Sequence, residues 1–171
     1  MTIETPRGRL QPWCDHDREA FAAMHADPEV MWDAAALLDR AQSDLKIDRY
    51  REAFARDGFS RWAMEDRSGV FLGYVGVLSL PPGHALGQGV EIGWRFRRAV
   101  WGQGYATEGA RAALADGFER FGWPEVLSYT APDNLRSQAV MNRLGLRRDA
   151  VRDFVAEDGW TGWVWVADPP L

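Results

Sequence analysis

Two glycines one residue apart, Gly102 and Gly104, stand in the stretch AVWGQGYATEGARAAL at 99–114, just ahead of a segment with helical periodicity. A loop whose backbone N–H groups converge and then feed a helix N-terminus binds anions, because the unsatisfied amides and the helix dipole act together. Glycine lets phosphate oxygens approach the backbone with no Cβ in the way. Arg95, Arg97 and Arg98 lie just upstream and could add positive charge. Three phosphate chemistries compete. A nucleotide P-loop needs Gly-Lys-Ser/Thr after four spacers, which nothing here supplies. A dinucleotide fingerprint needs a third glycine; its place is held by Thr107, and the loop sits mid-chain rather than in a leading β-α-β unit. A coenzyme A pyrophosphate loop is the third. A plain strand-to-helix turn with no ligand competes with them all.

The elements that must position this loop can be read from period and punctuation. RLQPW (9–13) reads as an opening strand, and Asp15 as the cap of a helix over HDREAFAAMHA with Phe21, Ala22 and Met24 on one side. Asp27-Pro28 reads as a second helix start. A longer helix follows over 39–58, with Leu45, Ile47, Tyr50 and Phe54 at helical spacing and Gly58 as its stop. RWAME (61–65) and VFLGYVGVLSL (70–80) form a hairpin across Asp66-Arg67-Ser68-Gly69. VEIGWRF (90–96) is a strand, the glycine loop leads into a helix ending near Phe121 with Gly122 behind it, and EVLSYTA (125–131) is a strand. NLRSQAVMNRLG (134–145) is a short helix with its own glycine stop; Val140, Met141 and Leu144 face inward, Asn142 and Arg143 outward. LRRDAVRDFV (146–155) and TGWVWVA (161–167) pair across Glu157-Asp158-Gly159. The order β-α-α-β-β-β-α-β-α-β-β is that of a mixed α/β (α+β) domain with a largely antiparallel sheet.

The chain has 171 residues, which favours one domain over 1–171. Nine Trp in that length imply a core or a pocket built from large rings. No apolar run approaches the ~20 residues that span a bilayer. The opening MTIETPRGRL lacks the pattern of a secretion signal, so a cytoplasmic protein is expected. Cys14 is the single cysteine, and no Cys/His cluster suggests a metal site. A net charge of −5 argues against nucleic-acid or anionic membrane partners.

VEIGWRF and AVWGQGYATEGARAAL, then TAPDNLRSQAVMNRLGLRR, with DPEVM near the N-terminus, resemble the GNAT N-acetyltransferase superfamily in its ribosomal-protein N-acetyltransferase-like branch. The resemblance covers nearly the whole chain. It implies a twisted, mostly antiparallel mixed sheet of about seven strands flanked by about four helices, whose fourth and fifth strands splay apart to admit a pantetheine arm. The superfamily loop usually opens on Arg or Gln; here that position falls on Ala99 or Trp101. The final VAEDGWTGWVWVADPPL departs most from the family, and those strands usually help shape the acceptor site.

The resemblance further implies acetyl transfer from acetyl-CoA to an amine, without a metal. The backbone of Trp101, Gly102, Gln103, Gly104, Tyr105 and Ala106 would hold the pyrophosphate. That of Trp94, Arg95 and Phe96 would pair with the pantetheine amides, one N–H polarising the thioester carbonyl. The family motif Asn-x-x-Ser falls on Asn134 and Ser137. Asn134 would contact the pantetheine arm, though it also suits a helix N-cap. Ser137 would assist departure of the thiolate, whose thiol pKa of ~8.5 already makes it a tolerable leaving group. Glu91, framed by Val90 and Ile92, is the candidate base on the ground that desolvation makes a carboxylate more basic; facing solvent or pairing with an arginine is the competing expectation. His84, in a Pro/Gly loop, is the second candidate, while His16 and His25 are expected at the surface. Trp32, Trp62 and Trp94 could line an acceptor pocket. No nucleophile for a covalent intermediate stands out, so direct attack in a ternary complex is expected. The acceptor is a protein N-terminal amine or a small-molecule amine. A GNAT domain that binds acyl-CoA without turnover, as a sensor or interaction module, is the rival, and a homodimer is compatible with the family.

Overall fold

The computed structural model describes residues 1–170. Among these, nine strand segments and four α-helices follow in the order β1 (Ile3–Glu4), β2 (Gly8–Gln11), α1 (Asp17–His25), α2 (Arg40–Asp57), β3 (Arg61–Asp66), β4 (Phe71–Ser79), β5 (Val90–Phe96), α3 (Tyr105–Phe121), β6 (Val126–Thr130), α4 (Leu135–Leu144), β7 (Arg147–Arg148), β8 (Phe154–Val155) and β9 (Thr161–Ala167). The strands lie in the order β1-β2-β3-β4-β5-β6-β9-β7, with β8 added on β9. The expected mixed, mostly antiparallel sheet with four helices is what forms. The strand count rises by two: a short β1, not expected, pairs with β2, and a 3₁₀ turn at Ala150–Arg152 separates β7 from β8.

Helix boundaries follow local chemistry in three of four cases. Asp39 caps α2 in a reciprocal box with Gln42, and Gly58 closes it in the left-handed conformation. Gly122 closes α3, and Asn134 and Gly145 bound α4. The first helix differs from expectation. Asp15 does not cap it; His16 holds the cap position without a side-chain bond, and the Asp17 carboxylate accepts from the Cys14 N–H at 2.8 Å. Asp27-Pro28 starts a turn, not a helix, because Asp27 Oδ1 accepts from Glu29 N–H at 2.9 Å. A short side chain that bonds the backbone two residues on offers an alternative to the helical ladder.

Successive residues of a strand face opposite sides of the sheet. Met64 and Val75 pack with Ala110, Ala113 and Leu114 of α3, while the neighbouring Ala63 and Tyr74 pack with Phe21 of α1 and Ile47 and Tyr50 of α2. The α1–α2 pair therefore covers one face and α3 the other. Phe21 and Ile47 are fully buried, each worth roughly 1.5–3 kcal/mol of removal from water. Leu45, expected on the apolar side, is 51% exposed.

One joint in this sheet matters most. β5 and β6 are its parallel neighbours, and they pair in register only at Glu91 opposite Leu127. Ser128 Oγ donates to Ile92 O at 3.0 Å just beyond that point, and no further pair forms. β5 continues against β4 through Phe96, whereas β6 runs along β9 through Thr130. The C-terminal half of β5 thus keeps an open backbone edge. No helix among the described residues is long and apolar enough to cross a membrane.

Candidate active site

A cavity of about 640 Å³ opens beside that edge. Its floor is Trp94, Arg95 and Phe96, its far wall Asn134 to Ser137 of α4, and its lip the loop Val100–Ala106 with Thr107. Gly102 and Gly104 have φ of +74° and +85°, a region L side chains avoid. With those angles the chain leaves a 3₁₀ turn at Arg98–Val100 and enters α3 at Gly104 with no capping side chain. The first amides of α3 therefore lack a side-chain acceptor. The Thr107 hydroxyl, buried in the same wall, has no hydrogen-bond partner. Free amides, a helix N-terminus and an orphaned hydroxyl are a fit for a phosphate group. Arg7, from the turn before β2, pins the loop by donating to Gln103 O at 2.8 Å and to Glu108 at 2.7 Å. Trp101 Nε1 donates to Phe96 O at 2.8 Å, tying the loop to the end of β5.

The three arginines upstream of the loop are each held by protein acceptors. Arg95 is held by Asp33 and Val30 O, Arg97 by Phe71 O, and Arg98 by Glu29. The arginines that line the cavity from α4 are Arg136, whose guanidinium lies 4.2 Å from the Trp101 ring centroid, and Arg143. Arg143 thus belongs to the cavity, not only to the solvated face.

A second cavity, about 280 Å³, lies alongside the first and is shared between the sheet, α2 and α4. The two have Asp33, Trp94, Arg95, Asn134 and Ser137 in common. Asn134 Oδ1 accepts from Ser137 N–H at 3.1 Å, and its Nδ2 donates to Asp33 Oδ2 at 3.0 Å. Asp33 Oδ1 takes Arg95 at 2.8 Å. This chain ties β5 to the start of α4 across the opening. It leaves the amide of Asn134 one hydrogen and one lone pair to spare.

Glu91 lines the second cavity, but not in the apolar setting the sequence suggested. Its carboxylate is ion-paired with Arg61, and the two side chains are 12% and 8% exposed. The same guanidinium donates to Gly76 O. Gly93 makes room for it, since a Cβ there would sit 2.7 Å from Arg61 Nη2. Pairing with an arginine, the competing expectation, is what forms.

Three tyrosines complete this wall. Burial, then Glu91, pushes Tyr129 up to about 12. Tyr50 is raised well above its usual value by burial and by Tyr74. For Tyr74 burial also acts upward, yet Lys46, Arg95 and Arg61 together outweigh it and lower the phenol.

The histidines and tryptophans sort differently from expectation. His84 Nδ1 accepts from Leu86 N–H at 3.2 Å and its ring packs on Tyr129 and Phe154, outside both cavities. His16 is exposed, but His25 is fully buried, stacked on Tyr74. Trp62 is a core residue against Phe54. Trp32, 46% exposed, borders the larger cavity, and only Trp94 reaches both. Cys14, His16 and Asp17 bring ligand atoms within 4.8 Å of one another at the start of α1, a cluster the sequence reading did not foresee.

His25 makes stability pH-dependent. Burial, then the charge of Lys46, lowers its pKa to about 4, against ~6.5 in an unfolded chain. Between those values the unfolded chain binds the proton and the folded one does not. Stability is therefore full above pH ~6.5 and falls as the pH drops toward 4, by on the order of 3 kcal/mol in all. Urea unfolding between about pH 6.5 and 5 should show this slope, and His25→Gln should flatten it. An unchanged slope in the variant would refute the assignment.

Comparison with known proteins bears on the same region. The acetyltransferase (GNAT) domain family matches residues 7–147. An uncharacterised protein of Bacillus subtilis, YkkB, is 34% identical over 147 residues, 84% of each chain. An Aspergillus fumigatus FsC-acetyl coenzyme A-N(2)-transacetylase is 32% identical over 152 residues, covering 85% of this chain and 64% of that protein. An acetyltransferase structure from Agrobacterium tumefaciens superposes with a TM-score of 0.84 at 24% identity, over 98% of this chain and 94% of that one. A ribosomal L7/L12 alpha-N-protein acetyltransferase solved with coenzyme A gives 0.79 at 11% identity, over 98% of both.

Proposed function

The chain belongs to the acetyltransferase (GNAT) domain family, and on that footing we propose that it moves an acetyl group from acetyl-CoA to a primary amine by direct attack within a ternary complex. The observation that carries this reading is the meeting of two cavities at the open edge of β5, through Trp94, Asn134 and Ser137. A donor in the larger cavity and an amine in the smaller would face each other there, and holding both converts a bimolecular step into a local one.

In this reading the amides from Trp101 to Ala106, with Thr107 Oγ1, hold the pyrophosphate, and Arg136 and Arg143 add charge. The open edge of β5 at Trp94, Arg95 and Phe96 pairs with the pantetheine amides as an added strand would. One of its N–H groups stabilises the oxyanion as the thioester carbonyl is attacked. The amine nitrogen forms the new C–N bond, the C–S bond breaks, and Ser137 Oγ supplies a hydrogen bond or proton to the departing sulfur. The amine proton leaves into the smaller cavity. Glu91 acts there from within its pair with Arg61, through water. Tyr74, whose phenol is lowered by Lys46, Arg95 and Arg61 against the effect of burial, is the second acceptor. The family resemblance to ribosomal-protein N-acetyltransferases keeps a protein N-terminus among the acceptors, beside small amines.

Release of thiol from acetyl-CoA over a panel of amines tests the reading. If coenzyme A binds and no amine raises release above background, the chain is a binding module instead. In a working assay Ser137→Ala should lower kcat roughly ten- to a hundredfold with KM for acetyl-CoA unchanged. The pH profiles of Glu91→Gln and Tyr74→Phe separate the two proton acceptors.

A further inference from the structure

The smaller cavity is lined by three cations, Lys46, Arg61 and Arg95, and two carboxylates, Asp33 and Glu91. The carboxylates are already matched. Glu91 is paired with Arg61, and Asp33 with Arg95 at 2.8 Å. Lys46, half-buried on α2, has no acidic partner among the described residues. Its Nζ lies 3.4 Å from His25 Nε2 and 5.8 Å from the centroid of the Tyr74 ring.

The imidazole does not balance that charge. His25 Nδ1 is 3.0 Å from Phe21 O. A carbonyl can only accept, so Nδ1 carries the hydrogen and Nε2 presents a bare lone pair to Lys46. The ring is neutral at physiological pH, being fully buried beside an ammonium. It orients one of the three ammonium hydrogens and leaves the positive charge uncompensated. A charge drawn partly out of water without a counter-ion is unfavourable unless something fills that role.

We infer that the substrate fills it: the acceptor is a small amine that carries a carboxylate, seated with the carboxylate on Lys46 and the amine toward the junction at Trp94 and Ser137. The inference rests on the acetyl-transfer reading above. The cavity's volume, about 280 Å³, suits a compact molecule. Its charge selects among such molecules. A polyamine would bring a second positive charge beside Lys46, Arg61 and Arg95, whereas an amino acid brings one charge of each sign. The phenol of Tyr50 stands in the same wall and adds a hydrogen-bond donor for a carboxylate.

The test compares amino acids, both α- and ω-amino, with their own amides, by calorimetric titration into protein saturated with coenzyme A. At least one acid should bind roughly tenfold or more tighter than its amide, the usual effect of one charged hydrogen bond. Lys46→Met should abolish that difference, and Lys46→Arg should keep most of it. In turnover Lys46→Met should raise KM for the acid far more than it changes kcat, and Lys46→Arg should leave KM close to that of the native chain. If no acid binds tighter than its amide, or Lys46→Met leaves the preference intact, the inference is overturned; a Tyr74 phenolate balancing Lys46 internally would give the first of these results. Binding that prefers the acid with no thiol release from acetyl-CoA would instead sink the transfer reading while leaving the carboxylate site standing.

Discussion

Gly104→Val should weaken coenzyme A binding by roughly ten- to a hundredfold while the protein stays folded. Gly104 has φ +85° at the entry to α3, and its missing Cβ would meet Arg7 Nη2 at 3.5 Å, an ordinary contact. The obstacle is therefore the backbone and not crowding. A residue other than glycine in the left-handed region is disfavoured by about 1–2 kcal/mol, and a β-branched one by more. The loop relieves that strain by rotating. Rotation takes Gln103 O off Arg7 and turns the first amides of α3 away from the cavity. Losing one hydrogen bond to a charged group weakens binding by about 1.5–3 kcal/mol, which is the predicted ten- to hundredfold. Titration calorimetry with coenzyme A and with pantetheine separates the causes, because pantetheine lacks the pyrophosphate. Its weaker affinity should be unchanged. Coenzyme A affinity equal to that of the native chain would mean that the pyrophosphate lies elsewhere.

Arg61→Ala should destabilise the fold by about 3–5 kcal/mol, the usual consequence of leaving one member of a buried ion pair alone. For a chain of this length each kcal/mol moves the melting temperature by about 2–4 °C, so a fall on the order of 10 °C is expected. Arg61 links three strands: it starts β3, donates to Gly76 O of β4 and pairs with Glu91 of β5. Its removal strands the Glu91 carboxylate and empties the space that Gly93 keeps free. Adding Glu91→Gln to Arg61→Ala removes the stranded charge and should recover part of the loss. Thermal and urea unfolding of the two single variants and the double variant complete the cycle. A loss under ~1 kcal/mol for Arg61→Ala would show that the pair does not hold this joint of the sheet.

The features legible in the sequence share one property: their physics is local. Gly58, Gly122 and Gly145 mark helix ends because only nearby backbone geometry decides a left-handed stop. Asn134 reads as a cap because the N–H that its side chain accepts from is three residues on. The Gly102–Gly104 turn into α3 is legible because a turn and the helix after it are contiguous. Where a local alternative was available the reading failed, as at Asp27, whose side chain makes a turn in place of a helix start. His25 failed for a different reason. At the end of a short helix it resembles a solvent-facing basic residue, and only the Tyr74 ring brought over it by β4 makes it a core group.

The sequence by itself determined the order of the main elements, the glycine turn into α3 and the family likeness that follows from them. The tertiary structure alone decided the charge pattern of the second cavity. Arg61 and Glu91 are 30 residues apart, Asp33 and Arg95 62, and Asp33 and Asn134 101. No period or motif relates such positions, because an ion pair needs proximity and not spacing along the chain. Lys46 is the sharpest case. On α2 it reads as one more charge on a polar helix face. The fold places it against a neutral imidazole in a wall whose carboxylates are already paired, and that placement makes its charge available to a ligand.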